Sequence, residues 1–196
     1  MGKAEITKQF IIETAAPLFN EKGIAGTSID DVLKATKVAK GCLYGHFDSK
    51  EALSHAMVDH LLQKVSDHTT ARLSKEDTAE AKLLAFLDLY RNPLCTPASG
   101  GCPIINFGAE SDDTNPVVRQ KIKEAIQKSI KMLSSVIQYG IDQHEFSSSV
   151  SAEDFATKMF ALIEGGIMIS RVTGSSRYMI SIINSLTGEI EGFKIT

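Results

Sequence analysis

Four lysines, Lys34, Lys37, Lys40 and Lys50, stand in a stretch that holds a single acid, Asp48, which leaves a local charge of +3. Ammonium groups gathered in this way suit one chemistry above others: neutralising phosphates along a polyanion, with affinity driven by counterion release. Gly41 and Gly45 lie among them, in the run TKVAKGCLYGHFDSKE. Each glycine inside a short helix costs about 1 kcal/mol relative to alanine, so propensity alone does not explain the pair. A phosphate or base edge approaching the backbone does, because a duplex major groove is only just wide enough for a helix. A surface helix held by tertiary packing, with incidental glycines, is the plainer alternative.

The elements that position these groups can be read from spacing. Thr27 with Asp30, and Ser28 with Asp31, both fit the hydroxyl-x-x-acid signature of a helix start, so a helix is expected from Ile29 to about Thr36. Ile29, Val32 and Leu33 share one face of it. Val38 plugs the following turn, and Leu43 with Phe47, one helical turn apart, anchor the next helix inward. Gly41 and Gly45 then point outward, flanked by Lys40, Cys42 and Tyr44. Asp48 with Glu51 repeats the capping arrangement and leaves Lys50 in the first turn of another helix.

The run from Thr7 to Glu51 closely resembles the N-terminal domain of TetR-family transcriptional repressors. The matching positions are Ile11, Ala15, Ala16, Leu18, Phe19, Gly23, Thr27, Ile29, Val32, Lys40, Gly41, Leu43, Tyr44, His46, Phe47, Ser49, Lys50 and Glu51. The resemblance implies an all-α homodimer that binds a double-stranded DNA operator. It places a three-helix helix-turn-helix domain at residues 1–50 and an effector-binding and dimerisation domain at 51–196. Carried over by position, Thr27 caps the second helix and touches a phosphate; Lys40, Gly41, Tyr44 and His46 form the contact surface of the recognition helix; Lys50 meets the backbone. Lys37, Ala39, Cys42 and Gly45 complete the expected DNA-binding set. Ala39 departs from the helix-capping serine of many relatives, and Gly45 sits where a larger, base-reaching side chain is common.

Charge agrees in distribution rather than in sum. The chain carries a net charge of -3 over 196 residues, and its first 55 residues hold seven lysines and seven acids. Glu5, Glu13 and Glu21 lie on the first helix, away from the basic strip. If Lys37, Lys40 and Lys50 of both subunits touch phosphate, affinity falls with salt with a logarithmic slope of about -5. No arginine precedes Arg72, so the bidentate guanine contact is missing and readout leans on DNA shape.

Beyond Phe47 the pattern is helical. A long helix from Asp48 to about Leu73 is expected, then one over residues 75–91 with Leu83, Leu84, Leu87 and Tyr90 as its buried stripe. Residues 92–102, NPLCTPASGGC, form a loop, and Cys102 followed by Pro103 opens a short helix through Glu110. Asn115 and Pro116 open a helix to about Gln143. Ser151 with Asp154 caps another to about Arg171, and Ser175 or Ser176 begins a last one that ends before Gly188.

This last pair resembles the helices that form the family's dimer interface, which assigns Phe155, Met159, Leu162, Gly165, Gly166, Ile167, Ile180 and Ile183 to it; packing within one subunit is the other reading. An unknown small-molecule effector is expected in the C-terminal domain, with Phe86, Tyr90, Cys102, Phe107, Met132, Tyr139, Met159 and Phe160 as lining candidates by type and position. Residues of these types at helical spacing also fill ordinary core. Cys102, at the amino end of a helix, is placed to favour its thiolate. Its surroundings, GCPIINFGAE, resemble a segment found in a branch of the family with members that respond to electrophiles or oxidants through cysteine. Cys102 is thus a redox candidate, with Cys95 as its resolving partner, and a small inert thiol is the alternative.

The exclusions are short. No apolar run reaches the ~18 residues of a membrane span, the N-terminus lacks a signal core, and three cysteines without a C-x-x-C pair fit a reducing cytosol and no structural zinc. Neither a metal set, a phosphate loop nor a nucleophile elbow appears, so no cofactor and no enzymatic activity are expected. A helical small-molecule carrier, or a catalytic bundle using Cys102, is the alternative to DNA binding.

Overall fold

Helix signals throughout the chain become helices in three dimensions. The computed structural model describes residues 2–94 and 99–195. Among them run α1 (Lys3–Gly26), α2 (Ile29–Thr36), α3 (Lys40–Tyr44), α4 (Lys50–Leu73), α5 (Ala79–Leu89), α6 (Pro103–Ser111), α7 (Pro116–Asp142), α8 (Ala152–Thr173) and α9 (Arg177–Gly192). The all-α expectation holds; the extended pairing among the described residues is one isolated bridge between Phe146 and Lys194. No helix among them is long and apolar enough to cross a membrane.

The chain forms two compact units, residues 1–65 with 97–123, and residues 66–96 with 124–196. The expected division at residue 50 falls inside the first of these, because the unit boundaries near 65 and 123 lie within α4 and α7 rather than in loops.

In the first unit, Ile11, Ala15 and Phe19 of α1, Val32 of α2, Leu43 of α3, Leu53 and Met57 of α4 and Phe107 of α6 are all buried. α1 contains Pro17 and turns sharply at Gly23, where φ is 78° and ψ is 170°. A left-handed φ of this kind favours glycine, and the turn redirects the chain toward α2.

In the second unit, Thr78 caps α5 by accepting from the Ala81 amide at 3.1 Å. Glu145 adds its carboxylate to the same helix start, accepting from the Ala79 amide at 2.8 Å. α5 therefore begins one turn later than the expected start at Lys75: the hydroxyl of Thr78 supplies the cap that Lys75 lacks. α8 is capped by Ser151 as expected, and packs closely on α9 through Gly166, where an added Cβ would stand 2.8 Å from Met179 Cε. α9 continues past Gly188 to Gly192. Glycine ends a helix where it takes a left-handed cap, as Gly174 does after α8 with φ of 65°; Gly188 faces open space inside the helix and terminates nothing.

Candidate nucleic-acid interface

The segment from Thr27 to Lys50, expected to meet DNA, is built by three local devices. First, α2 starts with a reciprocal cap: Ser28 Oγ accepts from the Asp31 amide at 3.1 Å, and Asp31 Oδ2 accepts from the Ser28 amide at 3.0 Å. Of the two hydroxyl-x-x-acid pairs that fit the start of α2, Thr27 with Asp30 and Ser28 with Asp31, the second is the one that forms. Thr27 is fully buried, its hydroxyl donating to the Gly23 carbonyl at 2.7 Å. The expectation that Thr27 caps α2 and offers its side chain to a phosphate is corrected: the bend at Gly23 brings that carbonyl within reach and turns the hydroxyl inward.

Second, Lys37 closes α2 in a left-handed conformation, φ 57°, with its amide donating to the Leu33 carbonyl at 2.9 Å. This exposes the Lys37 side chain and sends the chain through half-buried Val38 into α3.

Third, α3 is only five residues long and is held by what it buries. Leu43 is 1% exposed and Phe47 5%, and the Lys8 ammonium stands 5.3 Å from the centre of the Phe47 ring. Ala39 provides no side-chain oxygen, as expected, although its carbonyl accepts from the Cys42 and Leu43 amides at 2.9 and 3.1 Å. With those anchors inward, Ala39, Lys40, Gly41 and Tyr44 face solvent, while Cys42 and His46 are half-buried.

The two glycines differ. A Cβ on Gly41 would meet nothing within 4 Å, so its backbone lies open to any approaching group. Gly45 is the residue after the helix; a Cβ there would come 3.3 Å from the Cys42 carbonyl oxygen. The expected outward pair is thus one open glycine and one that closes the helix end. α4 then opens on half-buried Lys50. Its cap is Ser49, whose Oγ accepts from the Ala52 amide at 3.0 Å, rather than the expected pairing of Asp48 with Glu51.

The assembled surface presents a bare helical backbone, three ammonium-bearing side chains and a phenol, without competing acids on α3. That is what a major groove and its flanking phosphates can accept.

The effector candidates are less coherent. Phe107 and Met159 are fully buried and Phe86 nearly so, as core residues are. Phe86 stacks edge-on against Tyr90 at 5.2 Å between ring centres, within its own helix end. Met132 and Phe160 are half-buried. Tyr139 is 43% exposed, with the Lys82 ammonium 5.0 Å from its ring centre. A cavity of about 260 Å³ does occur in the first unit, lined by Ile24, Ala25, Lys50, Ser54, Glu110 and Ser111 among others. None of the eight candidates lines it.

Cys102 is the N-cap residue of α6, with Pro103 following, and is 7% exposed. The predicted placement at a helix start is present, in a buried rather than open setting. Cys95 lies outside the described residues.

The dimer candidates separate by burial. Phe155, Met159, Gly166, Ile167 and Ile183 are buried within the subunit, mostly in the packing of α8 on α9, and so are corrected from partner-facing to internal. Leu162 is half-buried, Gly165 opens on empty space and Ile180 is 41% exposed. Exposed beside them are Met168, Ile169 and Val172, which the sequence reading missed. Their apolar type three and four residues apart on one outward helical face was the available signal.

Residues 11–57 match the family model described as bacterial regulatory proteins, tetR family, and residues 79–186 match the tetracyclin repressor-like C-terminal domain. The chain belongs to the TetR family. Its fold overlays a TetR-family transcriptional regulator from Cytophaga hutchinsonii with a TM-score of 0.94 and 37% identity, covering 100% of this chain and 98% of that one. It is 30% identical over 182 residues to the transcriptional regulator LmrA of Bacillus subtilis, spanning 90% of this chain and 92% of the relative. The transcriptional repressor NemR of Escherichia coli is 25% identical over 171 residues, 86% of each chain. TetR-family regulators bind DNA operators and small-molecule effectors as dimers. This TetR-family chain is a ligand-responsive, DNA-binding transcriptional regulator and not an enzyme.

Proposed function

We propose that this regulator is a cytoplasmic repressor that binds a pseudo-palindromic operator as a homodimer. Residues 1–50 read the DNA, and residues 51–196 bind the effector and the second subunit. α3 enters the major groove, with Lys37, Lys40 and Lys50 on phosphates and Tyr44 on a phosphate or a thymine methyl. The observation that carries this reading is the partition of α3: Leu43 is buried at 1% while Gly41, two residues before it, meets nothing within 4 Å. Half-sites one helical turn apart then accept two such helices together. An effector that binds one arrangement of the subunits better than the other shifts the spacing of the two α3 helices and releases the operator.

The test is operator occupancy of Tyr44→Ala combined with Lys50→Ala, after footprinting has located the site beside the protein's own gene. Both side chains reach solvent, so the fold is retained while binding falls by about tenfold or more, at roughly one to three kcal/mol for each interaction removed. Unchanged occupancy, or a monomeric chain indifferent to duplex DNA, overturns the reading.

The position of Cys102 at the head of α6 supports a second element: a redox or electrophile signal received at that thiol. The expected result is that Cys102 is alkylated faster in folded protein than in unfolded protein, and that Cys102→Ser abolishes release by oxidant. A rate no faster than the unfolded control, or an unaltered oxidant response in Cys102→Ser, removes this element and leaves a small-molecule effector alone.

A further inference from the structure

Glu110, near the end of α6, spends its carboxylate on the main chain of another helix. Oε2 accepts from the Ile24 amide at 2.8 Å and Oε1 from the Ala25 amide at 2.7 Å. The two amides stand side by side because Gly23 takes φ 78° and ψ 170°. A Cβ at Gly23 would lie 2.8 Å from Glu110 Oε2, so the glycine also makes room for the acceptor. Successive amides converging on one anion form a concavity with its own positive potential, and such charge-assisted bonds are about twice as strong as neutral ones.

A second clasp lies one turn earlier on α6. Asn106 Nδ2 is shared among the Asn20 carbonyl at 2.9 Å, Asn20 Oδ1 at 3.0 Å and the Gly100 carbonyl at 3.0 Å. Asn106 and Glu110, four residues apart, occupy the same face of the helix. α6 therefore grips the end of α1 on both sides of its bend.

The reading head begins immediately after this bend. Thr27 bonds back to the Gly23 carbonyl at 2.7 Å, and Ser28 at once opens α2. The direction in which α2 leaves, and with it the seat of α3, is set where the Glu110 carboxylate holds the chain.

We propose that Glu110 is a positioning residue for operator binding: its carboxylate fixes the bend at residues 23–25, so that the placement of α2 and α3 depends on where α6 stands. The inference rests on α3 as the reading helix. Ala25 is exposed, and water replaces the carboxylate at its amide once the side chain is gone. Removal therefore loosens the bend more than it destabilises the fold.

The experiment measures affinity of the full-length protein for its footprinted operator duplex by fluorescence anisotropy, for wild type, Glu110→Ala and Glu110→Gln, with melting midpoints alongside. Sodium formate is added to each and compared with sodium chloride at equal ionic strength, since salt alone weakens binding. Glu110→Ala is expected to bind about tenfold more weakly with a nearly unchanged melting midpoint. Glu110→Gln, which keeps one oxygen acceptor, loses less. Formate restores part of the affinity of Glu110→Ala only, entering through the cavity of about 260 Å³ that adjoins the freed amides. Wild-type affinity in Glu110→Ala overturns the proposal, as does a loss that tracks stability and does not respond to formate. Should Glu110→Ala fail to fold, Glu110→Gln decides: wild-type affinity overturns the proposal, reduced affinity at unchanged stability supports it. Wild-type binding to the same duplex separates failure of this contact from failure of the operator reading.

Discussion

The Lys22 ammonium lies 3.1 Å from Asp31 Oδ1, tying the last full turn of α1 to the first turn of α2 across the bend at Gly23. The amide and hydroxyl of Ser28, and then Lys22, hold the Asp31 carboxyl far below its ordinary 3.8. A carboxyl lowered in this way stabilises the fold above the pKa it has when unfolded, and that contribution disappears as pH falls through its folded value. Asp31→Asn is expected to melt at a lower temperature than wild type at pH 7, with the two converging well below about pH 4. Thermal melts across that range check it; a gap that stays constant far into acid contradicts it.

Lys37 adopts the left-handed conformation, φ 57°, that glycine takes without strain. Lys37→Gly is expected to raise stability by about 1 kcal/mol. It also removes one ammonium per subunit from the basic strip, which weakens operator binding and reduces the salt slope by about 1 for each phosphate no longer neutralised. Urea titration and salt-dependent anisotropy measure the two effects, which run in opposite directions.

Gly41→Ala separates helix propensity from groove fit. With open space around the added methyl, the free protein should gain up to about 1 kcal/mol. Operator affinity should nevertheless fall, because the methyl stands between backbone and DNA. Equal affinity in both proteins means that nothing approaches this glycine closely.

Gly140 makes the opposite case in the second unit. A Cβ there would stand 2.4 Å from Phe146 Cδ2 and 2.8 Å from Ala79 Cβ, with both neighbours buried. Gly140→Ala is expected to lose about 1–3 kcal/mol by overpacking, read as a lower urea midpoint.

How far the sequence could be read depends on how local each cause is. The limits of α2, the anchors Leu43 and Phe47, the uncapped Ala39 and the proline starts of α6 and α7 follow from neighbours a few residues apart, and all were legible. The choice between Thr27 and Ser28 as the cap was not. Both spacings fit, and the tie is broken by the Gly23 carbonyl, which is placed by a bend that spacing does not reveal. Glu110 was invisible for a related reason: its partners are main-chain amides 86 and 85 residues away, and backbone donors leave no mark on a sequence. The apolar stripe of α8 and α9 was recognised as a stripe. Its division into an inner half, around Met159 and Ile183, and an outer half, around Met168 and Val172, needs the angular placement of each helix against the other.

The five-residue α3 owes its place to the buried Leu43 and to Phe47 just beyond it, while the side-chain positions 40, 41 and 44 are exposed. On the DNA-binding reading proposed above, the residues that anchor α3 and those that would face the groove are different ones. A substitution at position 40, 41 or 44 would then alter what the helix meets outside while leaving Leu43 and Phe47 in their buried seats.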